Sequence, residues 1–312
     1  MLLSQLAFNA ACPENRFLDE MGRTIPWEWL SKTMAQSIQR KSGGRPAYNL
    51  LLLLKIHLLQ TWYGLSDAGC EHQIRDRLSF RKFLGLSIES SVPDSTTLEN
   101  FRHDLAETGL DIKLVEALDE FFKEEGLLLK EGNMIDATFL KANSRAHKNS
   151  EKNSDLDADH GHKGFGYSGT ANVDVASKLV RKMVVTSERP HDSQNLEASL
   201  RGDETLMYGD SGYQGTQKLL KERGCKPRMI AKRSRGKKGE TAPQLKLRVK
   251  TLNRLYSKVR ARVEHVFACF KTVFNATRAR YRGLERVNQQ FQSLTLAYNL
   301  RRYGFLSRVS CV

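Results

Sequence analysis

The hydrophobic periodicity of the chain changes near Gly132, and that change limits its architecture more than any single motif. From about Pro26 to Gly126 apolar residues recur at three- and four-residue steps, the spacing of buried helix faces. After Gly132 they gather in short runs with strand character. A chain of 312 residues can bury two cores. We therefore expect an all-helical N-terminal domain over residues 1–130 and an α/β domain over residues 131–312.

In the helical part, PAYNLLLLLKIHLLQTWYG opens on Pro46, suited to a first helical turn, and stops near Gly64. PDSTTLENFRHDLAETG offers Thr96 and Glu99 as a capping box and ends at Gly109. A third helix, LDIKLVEALDEFFKEEG, closes at Gly126. The cluster Arg75, Arg77, Arg81 and Lys82 reads as a solvated helix face, with DNA binding as the minority reading.

In the second part, NMIDATFLKA, TANVDVA, KLVRKMVVTS and TLMYGD read as strands, TQKLLKERG as a helix and PRMIAKR as a further strand. AHKNSEKNSDLDADHGHKG, between the first two strands, reads as a mobile surface loop, and KRSRGKKGETAP as a second, far more basic one. A long helix from Gln244 to Thr277 carries Leu252, Leu255, Val259, Val263, Val266, Phe270 and Val273 as its apolar stripe. A final helix, Leu284 to Arg302, follows.

Charge is distributed unevenly. The net charge is +15, and residues 218–282 hold 21 Lys and Arg against three acids, leaving 29 basic and 32 acidic residues elsewhere. Such segregation points to a polyanionic partner. Five scattered cysteines, with no CxxC pair, argue for a reducing compartment and against zinc fingers. The longest apolar run, Leu50 to Leu59, is interrupted by Lys55 and His57 and falls short of a membrane span. The first residues lack the basic start of a signal peptide, so a cytoplasmic protein is expected.

Two motif-like stretches fail on context. Gly164, Gly166 and Gly169 spell GxGxxG, but a strand-like run follows where a dinucleotide site needs a helix. Asp155, Asp157 and Asp159 begin like a calcium loop, yet His160 stands where the sharp turn needs glycine, so they read as a solvated loop.

Three acids resist such readings. Asp136 lies within a strand-like run, where a carboxylate is uncommon unless paired or metal-bound. Asp210 ends a later strand between Gly209 and Gly212, which give a ligand room to approach. Glu264 is the only acid between Glu240 and Glu285. On a helix, Arg260, Glu264, Phe267 and Lys271 share a face within roughly 60° of arc, displaced from the apolar stripe. Three carboxylates supply the hard oxygen ligands that Mg²⁺ prefers. Two such ions about 4 Å apart would bridge one scissile phosphate.

MIDATFLKA, VTSERPHDSQ, YGDSGYQG and RARVEHVFACFK, in that order, with PDSTTLENFRHDL upstream and RARYRGL downstream, resemble the DDE transposases of bacterial insertion sequences, specifically the insertion-sequence-five family. The resemblance covers nearly the whole chain. It implies a ribonuclease-H-like catalytic domain, with a mixed five-stranded sheet and flanking helices, whose catalytic and metal-binding triad is Asp136, Asp210 and Glu264. Arg260, Glu264 and Lys271 match the family's Tyr, Arg, Glu, Lys signature; Ser257 stands at the tyrosine's place and Tyr256 one residue earlier. The expected cofactor is Mg²⁺, with Mn²⁺ as substitute. The expected partner is double-stranded DNA, both transposon ends and target, bound by a homodimer or higher assembly near the bacterial nucleoid. Arg260 and Lys271 would hold phosphates, and Lys232, Arg233, Arg235, Lys237 and Lys238 would track the backbone. The helical domain would contact transposon ends or pair two subunits. A structure-selective nuclease and a non-catalytic DNA-binding descendant remain the alternatives.

Overall fold

The computed structural model describes residues 12–36, 48–128, 131–145, 154–161, 163–187, 192–231 and 243–309. It divides into two compact units: Met1–Ala117 with Val273–Asn275 and Leu296–Val312, and Leu118–Thr272 with Ala276–Thr295.

In the first unit the helical periodicity becomes α1 (Arg16–Thr24), α2 (Trp27–Ala35), α3 (Leu50–Trp62), α4 (Asp67–Asp76), α5 (Leu78–Leu84), α6 (Ser95–Thr108) and the start of α7 (Leu110–Glu124). Leu30, Met34, Leu54, Ile56, Leu58 and Leu59 are fully buried, as their spacing requires. The Trp62 indole N–H donates to the carbonyl of Ala297 at 3.0 Å, which ties the end of the chain into this core.

Three local expectations shift here. Helix α3 begins at Leu50 with Asn49 capping the Leu51 N–H at 2.8 Å, and Pro46 lies outside the described residues. The cap of α6 is Asp94, which accepts from the Thr97 N–H at 2.7 Å; a carboxylate two residues upstream of Thr96 wins the N-cap position. Arg81 is not solvated: it is buried and donates to the carbonyls of Ile88 and Ser90 at 3.2 and 3.4 Å, and to that of Ser87.

The second unit is built on a mixed sheet. Its strands are β1 (Asn133–Lys141), β2 (Asp159–Gly161), β3 (Gly164–Asp174), β4 (Val180–Ser187), β5 (Leu206–Gly209) and β6 (Lys226–Met229). The long hairpin partner β3 runs antiparallel to β1 on one side. On its other side it pairs with β4 and, nearer its start, with β2. Beyond β1 the parallel strands β5 and then β6 complete the order β4-β3-β1-β5-β6, the ribonuclease-H-like sheet expected of this sequence. β2 is a three-residue addition that the polar composition of its segment concealed.

The GxGxxG glycines lie within β3, where Gly166 and Gly169 serve packing. A Cβ on Gly166 would sit 2.2 Å from the Leu140 carbonyl oxygen, and one on Gly169 2.4 Å from the Phe291 ring. The acidic segment before β2 is not a solvated loop either. Asp155 is buried and accepts from the Tyr167 hydroxyl at 2.6 Å and the Gly283 N–H at 3.2 Å, while Asp157 accepts from the Leu284 N–H at 2.7 Å. These carboxylates satisfy the free amides at the start of α11 (Leu284–Val309), where the helix dipole also favours negative charge.

Between β4 and β5 lies the short helix α8 (Leu196–Ser199), and between β5 and β6 a 3₁₀ turn (Ser211–Thr216) followed by α9 (Gln217–Glu222). They cover one sheet face, where Ile135, Leu196, Met207, Tyr213, Leu220 and Met229 form a core cluster. The long helix α10 (Pro243–Ala268) covers the other and ends in a wide π turn, Cys269–Val273, short of Thr277. Val263, Val266 and Phe270 are buried as expected, but Leu252, Leu255 and Val273 are exposed. The periodicity identifies residues that share a face; it does not say which part of that face is covered.

No helix among the described residues is long and apolar enough to cross a membrane.

Candidate active site

Alternation along the strands decides which side chains meet α10. Successive residues of a strand point to opposite faces. Ile135 and Met207 belong to the cluster on the α8–α9 side. Asp136 and Tyr208, one position on, therefore face α10, and the contacts agree: Tyr208 meets Tyr256 of α10 edge-on at 5.8 Å, and Asp136 meets Arg260. Tyr256 is thus a packing residue between helix and sheet.

β1 and β5 share only the register pairs Asn133 with Met207 and Met134 with Tyr208. β5 stays paired to β6 through Gly209, so β1 and β5 part just before Asp136 and Asp210. Asp210 then caps the 3₁₀ turn, its carboxylate accepting from the Gly212 N–H. Gly209 does not make room for a ligand: a Cβ there would lie 2.5 Å from the Met229 sulfur and 3.2 Å from Ile135, so its smallness serves the core. Tyr213 is buried in that core, and Gln214 donates to the Ile230 carbonyl at 3.1 Å. Both support the turn that carries Asp210.

Helix α10 brings the remaining groups. Arg260 Nη1 lies 3.1 Å from Asp136 Oδ2, and Nη2 lies 3.6 Å from Glu264 Oε1. Its Nε–H is buried without a hydrogen-bond partner among the described residues. Asp136 is mostly buried, and burial raises its carboxyl above the usual range; Arg260 and the Ala137 N–H oppose that rise, while the charge of Asp210 adds to it. The repulsion by Asp210 shows that these two acids share one region. Lys271, within the π turn, has its ammonium lowered by desolvation and then by the charge of Lys163.

Two contributors escaped the sequence. Asn253, two turns before Arg260, grips the Ala231 backbone with both ends of its amide, accepting from the N–H at 2.9 Å and donating to the carbonyl at 3.0 Å. An asparagine in a basic helix carries no pattern that would single it out. Lys163 donates to the Ala137 carbonyl at 3.4 Å, beside Asp136. Lys232, Arg233, Arg235, Lys237 and Lys238 lie outside the described residues.

A family model described as Transposase DDE domain matches residues 128–300, more than half of the chain, and one described as Transposase domain (DUF772) matches residues 6–104. The chain belongs to the DDE transposases. The transposase is accordingly an enzyme of the polynucleotidyl-transferase and endonuclease type, DNA-binding and dependent on a divalent metal. No solved structure matches it.

The residues of the transposase fit such an ion in donor chemistry and charge. Asp136, Asp210 and Glu264 offer only hard carboxylate oxygens. Asp136 and Asp210 repel one another, and a guanidinium stands between Asp136 and Glu264 where a cation would relieve the same charge. Among the described residues no three His, Cys, Asp or Glu side chains converge closely enough to hold an ion together. Arg260 supplies the countercharge instead.

Proposed function

We propose that this transposase hydrolyses phosphodiesters at the terminal inverted repeats of its element and directs the freed 3′-hydroxyl into target DNA. Asp136, Asp210 and Glu264 are its catalytic carboxylates and would hold Mg²⁺, for which Mn²⁺ can substitute. The observation that carries this reading is Arg260 spanning Asp136 and Glu264, acids 128 positions apart in the chain, beside a third acid that repels the first.

The divalent ion, when bound, supplies activation of the attacking oxygen and stabilisation of the leaving one. The chain's own groups position and neutralise. Arg260 has an unpartnered buried Nε–H and a fork geometry suited to phosphate, and Lys271 would add a second positive charge. The basic residues Lys232, Arg233, Arg235, Lys237 and Lys238 would contact the DNA backbone. Residues 1–130 bind the element's ends or pair two subunits, and a homodimer or larger assembly brings the two ends together.

Strand cleavage of a repeat-end duplex by Asp136→Ala, Asp210→Ala and Glu264→Ala proteins tests the triad. Each is expected to lose cleavage while still binding the duplex. Any one that cuts as the parent does removes that residue from the site. Products distinguish the full reaction from simple hydrolysis, because strand transfer joins molecules and a nuclease only cuts them.

A further inference from the structure

We propose that Lys163 contacts DNA in the catalytic centre, forming with Lys271 a clamp of two ammonium groups that holds one backbone phosphate beside Asp136. This rests on the reading of Asp136 as a catalytic carboxylate.

The hairpin joining β2 to β3 has Gly161 and Gly164 as its last register pair, so Lys163 sits at its tip. From there its side chain reaches back to β1, where its Nζ donates to the carbonyl of Ala137. That carbonyl follows Asp136 directly and lies where β1 has already parted from β5. At 3.4 Å the contact is long, and an ammonium has three donors. Lys163 makes no ion pair among the described residues, and neither does Lys271.

The two ammonium groups also feel one another's charge. The charge of Lys163 acts on Asp136 and also on Lys271. Two like charges near a shared point repel, and Asp136 is already engaged by Arg260. An anion between the lysines would relieve that repulsion. A phosphodiester of the strand acted on at Asp136 is the anion that the family's substrate supplies there.

The test reads binding rather than cleavage. In an Asp210→Asn background, affinity for a repeat-end duplex is measured across a range of NaCl concentrations for Lys163→Gln, Lys163→Arg, Lys271→Gln and the double Gln variant. Loss of one phosphate contact lowers the slope of log affinity against log salt by about 0.9. Lys163→Gln should show that loss and Lys163→Arg should not. The double variant should lose about the same single increment, because both lysines serve one phosphate and neither holds it alone. An unchanged slope for Lys163→Gln overturns the proposal. So does a lowered melting temperature with an unchanged slope, which would assign Lys163 to holding the hairpin. Losses that add in the double variant overturn the shared clamp. Failure of the triad would appear separately, as Asp136→Ala protein that still cuts.

Discussion

Arg260 joins Asp136 across 124 residues of sequence, with Nη1 and Oδ2 3.1 Å apart, while the same guanidinium extends towards Glu264 one turn further along α10. The pair lies at the boundary between sheet and solvent, more than two-thirds buried on both sides. It gives the acidic centre a countercharge that belongs to the chain itself.

Removing that countercharge should cost stability before it costs chemistry. In metal-free protein, Arg260→Ala is expected to lose on the order of 1–2 kcal/mol, between the values for exposed and fully buried pairs. Arg260→Lys should lose less. Urea denaturation measures both, and added Mg²⁺ or Mn²⁺ should narrow the gap between variant and parent. A gap that widens with metal would contradict the role.

Asn253 offers a cleaner structural test. Its amide satisfies both polar groups of Ala231, so Asn253→Ala leaves an N–H and a carbonyl to find water. The expected cost is about 1–2 kcal/mol. Asn253→Asp keeps an acceptor for the N–H but faces the carbonyl with negative charge, and should be no better than alanine. Thermal melts of the three proteins decide it.

Glycine substitutions separate packing from tolerance. Gly166→Ala would drive a Cβ to 2.2 Å from a backbone oxygen of the neighbouring strand, and the strands must separate to admit it. A loss of roughly 2–3 kcal/mol is expected. Gly215 has nothing within 4 Å of the corresponding position, so Gly215→Ala should stay within about 0.5 kcal/mol of the parent. Equal effects at the two sites would refute the packing account of β3.

One acid gives the first unit a pH dependence. Burial raises the carboxyl of Asp111 to about 6, although the Ile112 N–H donates to it at 2.8 Å. Below about pH 4 the group is protonated in both folded and unfolded chains and costs nothing. As pH rises from about 4 to about 6 the unfolded chain ionises first, so this acid removes stability, by up to roughly 3 kcal/mol above pH 6. Asp111→Asn should abolish that fall. The stability difference between variant and parent, followed from pH 4 to pH 7, should grow with pH.

What the sequence made legible follows from cost. A carboxylate within a strand is expensive, so Asp136 stood out, and the solitary acid Glu264 stood out within a basic helix. The helical and strand periods were strong wherever one face was buried, which is why α3, α6, α7, β1 and β5 were readable. The rest depends on contacts between segments far apart in the chain. Asp155 and Asp157 look like solvated acids until α11 presents its free amides to them. Tyr213 and Gln214 acquire roles only when β6 lies beside β5. Leu252 and Leu255 belong to the predicted stripe yet are exposed, because α10 turns Asn253, Tyr256 and Arg260 towards the sheet instead.

The early parting of β1 and β5 has a further consequence. A sheet gains its rigidity from an uninterrupted ladder, yet here the ladder between these two strands stops after two register pairs. Asp136 and Asp210 stand on the two lips of that unzipped seam. Charge enters the sheet through a gap in its own hydrogen bonding, with no need to hollow out a pocket. A substitution that let the strands zip one residue further would close the site without touching any carboxylate.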